Sequence, residues 1–372
     1  MAHSSNGCIK PVTHTPTFML RAAKSLLRTI TAVTGKRPVP QRDPHLTMSE
    51  EMKQQAKSWG FFDETTIARP RVLIAAGHGY GNVGDEAQVG ACIRRWRRAA
   101  LNAQITMFTP SPAYTAALHG ERTEWAPRVA WFRSNTSGPY YDHPDFESFF
   151  RGLKFRLELS ARLFRASAPL MFCNPREARI LQLIQEHDII HISGGGYLTG
   201  KTRSRLWEFC LLMRMCQLLG KPYILTGHNI GVFQDANDRK IVKMGLAGAN
   251  HIGLRDRGIS EKELAEIGVT GPHITSTCDD ALFCERISNE EVHRVIQTSG
   301  GDATKPWVAV NFHHWGQNES SRDSIESRFA EVCDQISAKY GLQIALIAMT
   351  PSDVAPEANI AKRMKQPSLV IP

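Results

Sequence analysis

The densest run of chemically usable residues is Gly77-His78-Gly79-Tyr80-Gly81-Asn82-Val83-Gly84-Asp85-Glu86-Ala87, directly after the apolar segment Arg71-Val72-Leu73-Ile74-Ala75-Ala76. Glycines permit φ > 0 and let a ligand approach bare N–H groups, and a helix starting here turns its positive dipole end toward the same place. The combination suits a phosphate or carboxylate, with Gly81, Asn82 and Gly84 as backbone donors. Asp85 either meets the substrate or caps its helix. No Gly-Lys-Ser/Thr closes the loop as in a Walker A motif, and Gly79-Tyr80-Gly81 with Gly84 meets only part of the dinucleotide pattern.

Three later groups carry the same kinds of residue: Ser193-Gly194-Gly195-Gly196 with Lys201 shortly after, Gly227-His228-Asn229-Ile230-Gly231, and Arg255-Asp256 ahead of Asp279. Gly194, Gly195 and Gly196 extend the N–H cradle, and Lys201, Asp256 and Asp279 are further substrate-binding candidates. Arg255 is the first candidate for a cation facing a carboxylate or phosphate, the alternative being a salt bridge to Asp256 or a helix end. His228 is either a general acid or a packed turn histidine. His313 and His314 follow a later strand; neighbours at a strand end point opposite ways, so no metal site is expected of them.

Such scattered groups need a scaffold that gathers strand ends. Apolar segments at 72–76, 104–108, 187–192, 223–226 and 251–254 alternate with helical patterns at 85–101 and 204–219 and a further helix ending at 248. That alternation dictates a parallel sheet with crossover helices, and such sheets bind ligands outside the carboxyl ends of their strands. Asn82, Asp85, the three glycines, His228, Arg255 and Asp256 then share one rim. Ser260 with Glu263 reads as a capping box. A second α/β unit follows residue 283, with helices at 289–298, 324–340 and 357–365 and strands at 307–312, 343–348 and 368–371. The proline-rich stretch 110–180 reads as irregular, apart from a helix at 145–165 whose apolar residues alternate with arginines. That helix packs on the core with a solvated basic face or, alternatively, lies at an interface near a lipid-linked substrate.

At 372 residues, 42% hydrophobic and 22% charged, the chain is globular and large enough for two domains. The net charge of +9 is unevenly placed, because the first 42 residues hold seven lysines and arginines and no acid. The body is therefore near neutral, which removes the case for nucleic acid. The tail reads as a flexible basic extension, with residues 18–28 able to form a short amphipathic helix on an anionic membrane or, less simply, to serve as a transit peptide. Eight scattered cysteines without a Cys-x-x-Cys pair fit a reduced, cytoplasmic protein in which each is a small buried hydrophobe.

Taken in order, the Gly81-Asn82-Val83-Gly84-Asp85-Glu86-Ala87 loop, Ser193-Gly194-Gly195-Gly196, Gly227-His228-Asn229-Ile230-Gly231, Arg255-Asp256 with Ser260, Leu264 and Gly268-Val269, and Asp279 before Ala281 resemble the polysaccharide pyruvyl transferase family over residues 70–355. The resemblance implies an α/β fold of two Rossmann-like domains of the glycosyltransferase-B kind. The expected division is a basic extension at 1–68, a first domain at 69–285 and a second at 286–372. It implies transfer of the pyruvyl unit of phosphoenolpyruvate to hydroxyls of a cell-surface polysaccharide or its lipid-linked precursor, giving a ketal, with no cofactor or obligatory metal. Partners are then phosphoenolpyruvate and a glycan or lipid-linked oligosaccharide acceptor; the basic tail and the helix at 145–165 add an expected peripheral contact with the inner face of a membrane. Arg255, His228, Asp85 and His313 are the catalytic candidates. The family also implies an Arg-Leu-His-type donor motif late in the second domain, without a counterpart before Pro372. The second domain is thus expected to be truncated and this chain to transfer weakly or not at all. Two rival expectations are a nucleotide-sugar glycosyltransferase on the same plan and a non-catalytic scaffold on a membrane surface.

Overall fold

The computed structural model describes residues 69–132, 146–271, 273–313 and 319–372. The helix expected at 18–28, and His314, lie outside them. The described residues fall into two compact units divided between Arg286 and Ile287.

The first unit is one parallel sheet covered by helices. Its strands are β1 (Arg71–Ala75), β2 (Gln104–Thr109), β3 (Arg122–Trp125), β4 (Ile189–Ile192), β5 (Gly195–Leu198), β6 (Tyr223–Ile230), β7 (His251–Leu254) and β8 (Ile274–Ser276). They lie in the order β3-β2-β1-β4-β6-β7-β8, with β5 paired to β6. Every ladder is parallel. A sheet buried on both faces needs apolar residues at both strand parities. Strand β1 supplies them, sending Leu73 and Ala75 into one core cluster and Val72 and Ile74 into the other.

The helices of this unit are α1 (Val83–Ala99), α2 (Pro112–His119), α3 (Pro127–Trp131), α4 (Phe146–Arg165), α5 (Pro175–Glu186), α6 (Arg203–Leu219), α7 (Ala236–Leu246) and α8 (Gly258–Glu266). The expectation of irregular structure over 110–180 is corrected: α2, β3, α3 and the start of α5 lie there. Helix α4 takes the core-packing role, with Phe146, Phe150, Leu153 and Leu157 buried. Ser260 and Glu263 do not form a capping box either, since α8 has no side-chain cap. Both side chains are buried, Ser260 Oγ accepting the Ile230 N–H at 3.0 Å and Glu263 Oε2 that of Phe233 at 3.5 Å.

The second unit holds a three-stranded parallel sheet ordered β11-β10-β9, made of β9 (Trp307–Val310), β10 (Gln343–Ile347) and β11 (Ser368–Ile371). Its helices are α9 (Asn289–Thr298), α10 (Glu319–Tyr340) and α11 (Val354–Arg363). Small cores form around Phe312, Ile344, Leu346 and Ile360, and around Ile296 and Leu369. All seven described cysteines are free, but only Cys92, Cys210, Cys216 and Cys333 are buried; Cys173, Cys278 and Cys284 are half-buried, against the expectation for them.

Candidate active site

Strand order reverses direction between β1 and β4, so the chain leaves these neighbours toward opposite edges and opens a crevice beyond their carboxyl ends. The glycine loop after β1 and Ser193-Gly194 after β4 stand at this point. A Cβ on Gly77 would lie 1.7 Å from the Tyr197 hydroxyl oxygen, so only glycine fits while Tyr197 holds its place. Gly79 and Gly81 have φ of 91° and 77°, the left-handed region.

At the start of α1 the structure corrects one expectation. The Asn82 side-chain oxygen accepts the Gly84 N–H at 2.9 Å and the Asp85 N–H at 3.3 Å, so these donors are turned inward on the cap. Asp85 is thereby relieved of capping. Its carboxylate instead accepts the Tyr197 hydroxyl, and burial raises its pKa against the opposing pull of that bond. Burial, then Asp85, pushes the Tyr197 phenol well up. Beside them the Arg205 guanidinium, 12% exposed, lies over the rings of Tyr80 at 4.9 Å and Tyr197 at 5.8 Å, with Glu208 at 3.6 Å. Glu86 closes the loop from below, accepting the Gly79 N–H at 2.7 Å and pairing with His119 at 2.9 Å.

Asp279 and Asp280 face different ways. The Asp280 carboxylate, fully buried, accepts Thr226 Oγ1 at 2.6 Å, Ser193 Oγ at 3.1 Å, the Gly194 N–H at 3.2 Å and Arg95 Nη1 at 3.1 Å. Behind it the Trp96 indole N–H donates to His191 Nδ1 at 2.8 Å, which leaves Nε2–H to donate to Thr226 Oγ1 at 2.8 Å. The Gly194 N–H is therefore occupied by protein rather than open to a ligand, correcting the cradle expected there. Gly195, at φ 143°, pairs with His228 in the β5–β6 ladder, and the Gly196 carbonyl accepts the Thr199 hydroxyl at 3.1 Å.

On the rim, Arg255 Nε donates to Asn229 Oδ1 at 2.5 Å and Nη1 to Asp279 Oδ2 at 2.9 Å. The partner is Asp279 and not Asp256, whose carboxylate stands 3.4 Å from Ser260 Oγ. Burial works against ionisation of Asp279, but the Ala281 N–H, the Gln88 amide and Arg255 outweigh it and hold the carboxyl below its usual range. Arg255 is about one-third exposed. Lys201 is exposed in the short turn Gly200–Thr202, and no hydrogen bond joins it to these residues.

His228 is corrected as a general acid. Strand β6 runs on to Ile230 and takes His228 into the sheet, where it is fully buried with Nε2 3.2 Å from the Ile192 carbonyl. Burial lowers its pKa to about 4, so it carries no imidazolium proton near neutral pH. In the second unit, beyond the ends of β9 and β10, His313 Nδ1 meets Asp353 Oδ1 at 2.5 Å, and Asp353 Oδ2 accepts the Thr350 N–H at 2.8 Å. Asp353 is 2% exposed while the His313 side chain is 45% exposed, an arrangement that fixes the imidazole from behind. Nearby, burial raises Glu357 to about 7.

Tyr197, Arg205, Asp280 and Asp353 are the functional candidates that the sequence alone missed. The Asp279-Asp280 doublet was the one available signal, since a carboxylate pair at a strand end asks for two sets of partners. Among the described residues, no group of three or more His, Cys, Asp or Glu is placed to hold a metal ion. No described helix is long and apolar enough to cross a membrane.

Three buried histidines make the fold acid-sensitive. Burial above all lowers His78 to about 3 and His191 and His228 to about 4 from 6.5. Between pH 6.5 and about 4 the unfolded chain binds protons that the folded chain refuses, so stability falls as pH falls. Each histidine adds a slope of up to about 1.4 kcal/mol per pH unit. Melting followed from pH 7.5 to 4.5 should drop steadily below pH 6.5; a flat profile to pH 5 would mean that these imidazoles accept protons in the folded state.

The fold and rim define an α/β protein of parallel sheets with a polar, arginine-bearing crevice at the switch point of the larger one. The chain belongs to the polysaccharide pyruvyl transferase family, whose model matches residues 82–372. No curated protein matches the sequence. Among solved structures, the UDP-GlcNAc 2-epimerase of Neisseria meningitidis bound to UDP-GlcNAc is 6% identical at a TM-score of 0.41, over 81% of this chain and 71% of that one. A putative UDP-N-acetylglucosamine 2-epimerase of Listeria monocytogenes is 10% identical at 0.45, over 82% and 69%. A glycosyltransferase of Rickettsia africae is 8% identical at 0.42, over 81% and 68%.

Proposed function

We propose that this protein is a pyruvyl transferase that moves the three-carbon unit of phosphoenolpyruvate onto two hydroxyls of a polysaccharide or its lipid-linked precursor. The observation that carries the reading is the Arg255–Asp279 pair at the crevice of a chain whose family is that of such transferases. A proton added to the methylene carbon makes the enol carbon electrophilic, and one hydroxyl oxygen adds there and loses its proton. The C–O bond to phosphate then breaks, inorganic phosphate leaves, and the second hydroxyl closes the ketal. The chemistry asks for a cation at the donor's carboxylate or phosphate, an acid and a base.

Arg255 serves as the cation. Asp85, raised by burial and coupled to the Tyr197 phenol, serves on the acid side. The test is direct: phosphoenolpyruvate should raise the melting temperature of the purified chain, and any inorganic phosphate released in the presence of a hydroxyl-rich glycan should be matched by carbon label entering the glycan as a ketal. Stabilisation by uridine or guanosine diphosphate, with none by phosphoenolpyruvate, would sink the reading in favour of a nucleotide-sugar enzyme.

A further inference from the structure

Helix α4 buries Phe146, Phe150, Leu153 and Leu157 on one side and presents a mixed face on the other. Phe155, at the centre of that outer face, is 71% exposed. At 100° per residue, Arg151 and Arg162 stand within about 40° of it, four residues before and seven after. Both are exposed, and neither forms an ion pair with a described residue; Lys154, Arg156 and Arg165, by contrast, are engaged by Glu158, Glu177 and the Leu218 carbonyl. The chain after α4 folds back along it, since Glu177 grips Arg156 and Cys173 lies beside Ser160. That return segment, packed on the Arg156–Ser160 flank of α4, carries Met171 at 70% exposure and Phe172 at 44%, with exposed Arg176 close behind.

Large apolar tips set among unpaired arginines are costly in water and do not suit the polyanionic, hydrophilic backbone of a nucleic acid. They match a surface with phosphate charge outside and hydrocarbon a few ångströms beneath. We infer that this face of α4, with Met171 and Phe172, docks on an anionic lipid bilayer, the arginines meeting phospholipid headgroups and Phe155 entering the boundary below them. The inference stands without the transfer reading.

Sedimentation of the full chain with vesicles tests it. Vesicles of phosphatidylcholine with one-quarter phosphatidylglycerol should carry the protein down and pure phosphatidylcholine should not, and added salt should weaken the binding. R151E/R162E should weaken binding about tenfold or more, and F155S should weaken it without changing its salt dependence. These side chains are exposed, so melting temperatures should match wild type; R151Q/R162Q serves as a milder pair should the charge reversal disturb folding. Failure of the wild type to bind either vesicle overturns the proposal and leaves an acidic protein as the occupant. Undiminished binding by both α4 variants, with loss in K24E/R28E, overturns it in favour of the basic N-terminal residues.

Discussion

Asp280→Ala should lower the melting temperature on the order of 10 °C, the largest stability effect expected of any single substitution near the site. The carboxylate is fully buried and accepts four hydrogen bonds from three separate segments: α1 through Arg95, the β4 end through Ser193 and Gly194, and β6 through Thr226. Removing it strands the Gly194 N–H and breaks a pair whose loss typically costs about 3–5 kcal/mol when both partners are buried. Arg95 is 40% exposed and can turn to water, and the serine and threonine hydroxyls can rotate, which places the cost near the lower end. At roughly 2–4 °C per kcal/mol for a unit of this size, the shift follows. Asp280→Asn should cost less, because an amide oxygen still accepts from Thr226 or Gly194 while its NH2 faces the Arg95 donors badly. Thermal unfolding of the two variants decides the matter, and a shift under about 2 °C for the alanine would mean that the loops are held by packing instead.

The position of Asp280 also explains why the site was only partly legible. Motifs at strand ends were readable because each follows an apolar run, and the sheet order sets four of those ends side by side. Partners were not readable, because Ser193 and Asp280 are 87 residues apart and Tyr197 and Asp85 are 112 apart. Composition cannot tell whether Asn82 or Asp85 caps α1; that depends on where Tyr197 stands. The same blindness turned Ser260 and Glu263 into a cap for their own helix when they serve the end of β6 and the segment after it. Proline misled in a different way. Pro112, Pro127 and Pro175, in a stretch read as irregular, occupy the first positions of α2, α3 and α5. A fixed φ and a missing N–H do no harm at that position, so the supposed breakers are starters.

For activity, the largest effect expected is at Arg255. Within the transfer reading, Arg255→Ala should lower kcat/KM for phosphoenolpyruvate about a hundred- to a thousandfold and abolish the stabilisation that phosphoenolpyruvate confers. Two of its donors are spent on Asn229 and Asp279, which hold the guanidinium like a bracket, while Nη2 makes no hydrogen bond to a described residue and is left for a ligand. The bracket matters because a planar fork fixed at two points aims its third donor, whereas a lysine ammonium would bond to one partner and swing. Arg255→Lys should therefore recover little. Stability should barely change in either variant: the pair is partly exposed, worth about 0–1 kcal/mol, and Asp279 keeps the Gln88 amide and the Ala281 N–H. Asp279→Asn separates positioning from contact, since it loosens the bracket while leaving the cation, and it should fall between wild type and Arg255→Ala. Equal turnover in all three variants, or a collapse of melting temperature in step with activity, would mean that Arg255 serves the fold and not the donor.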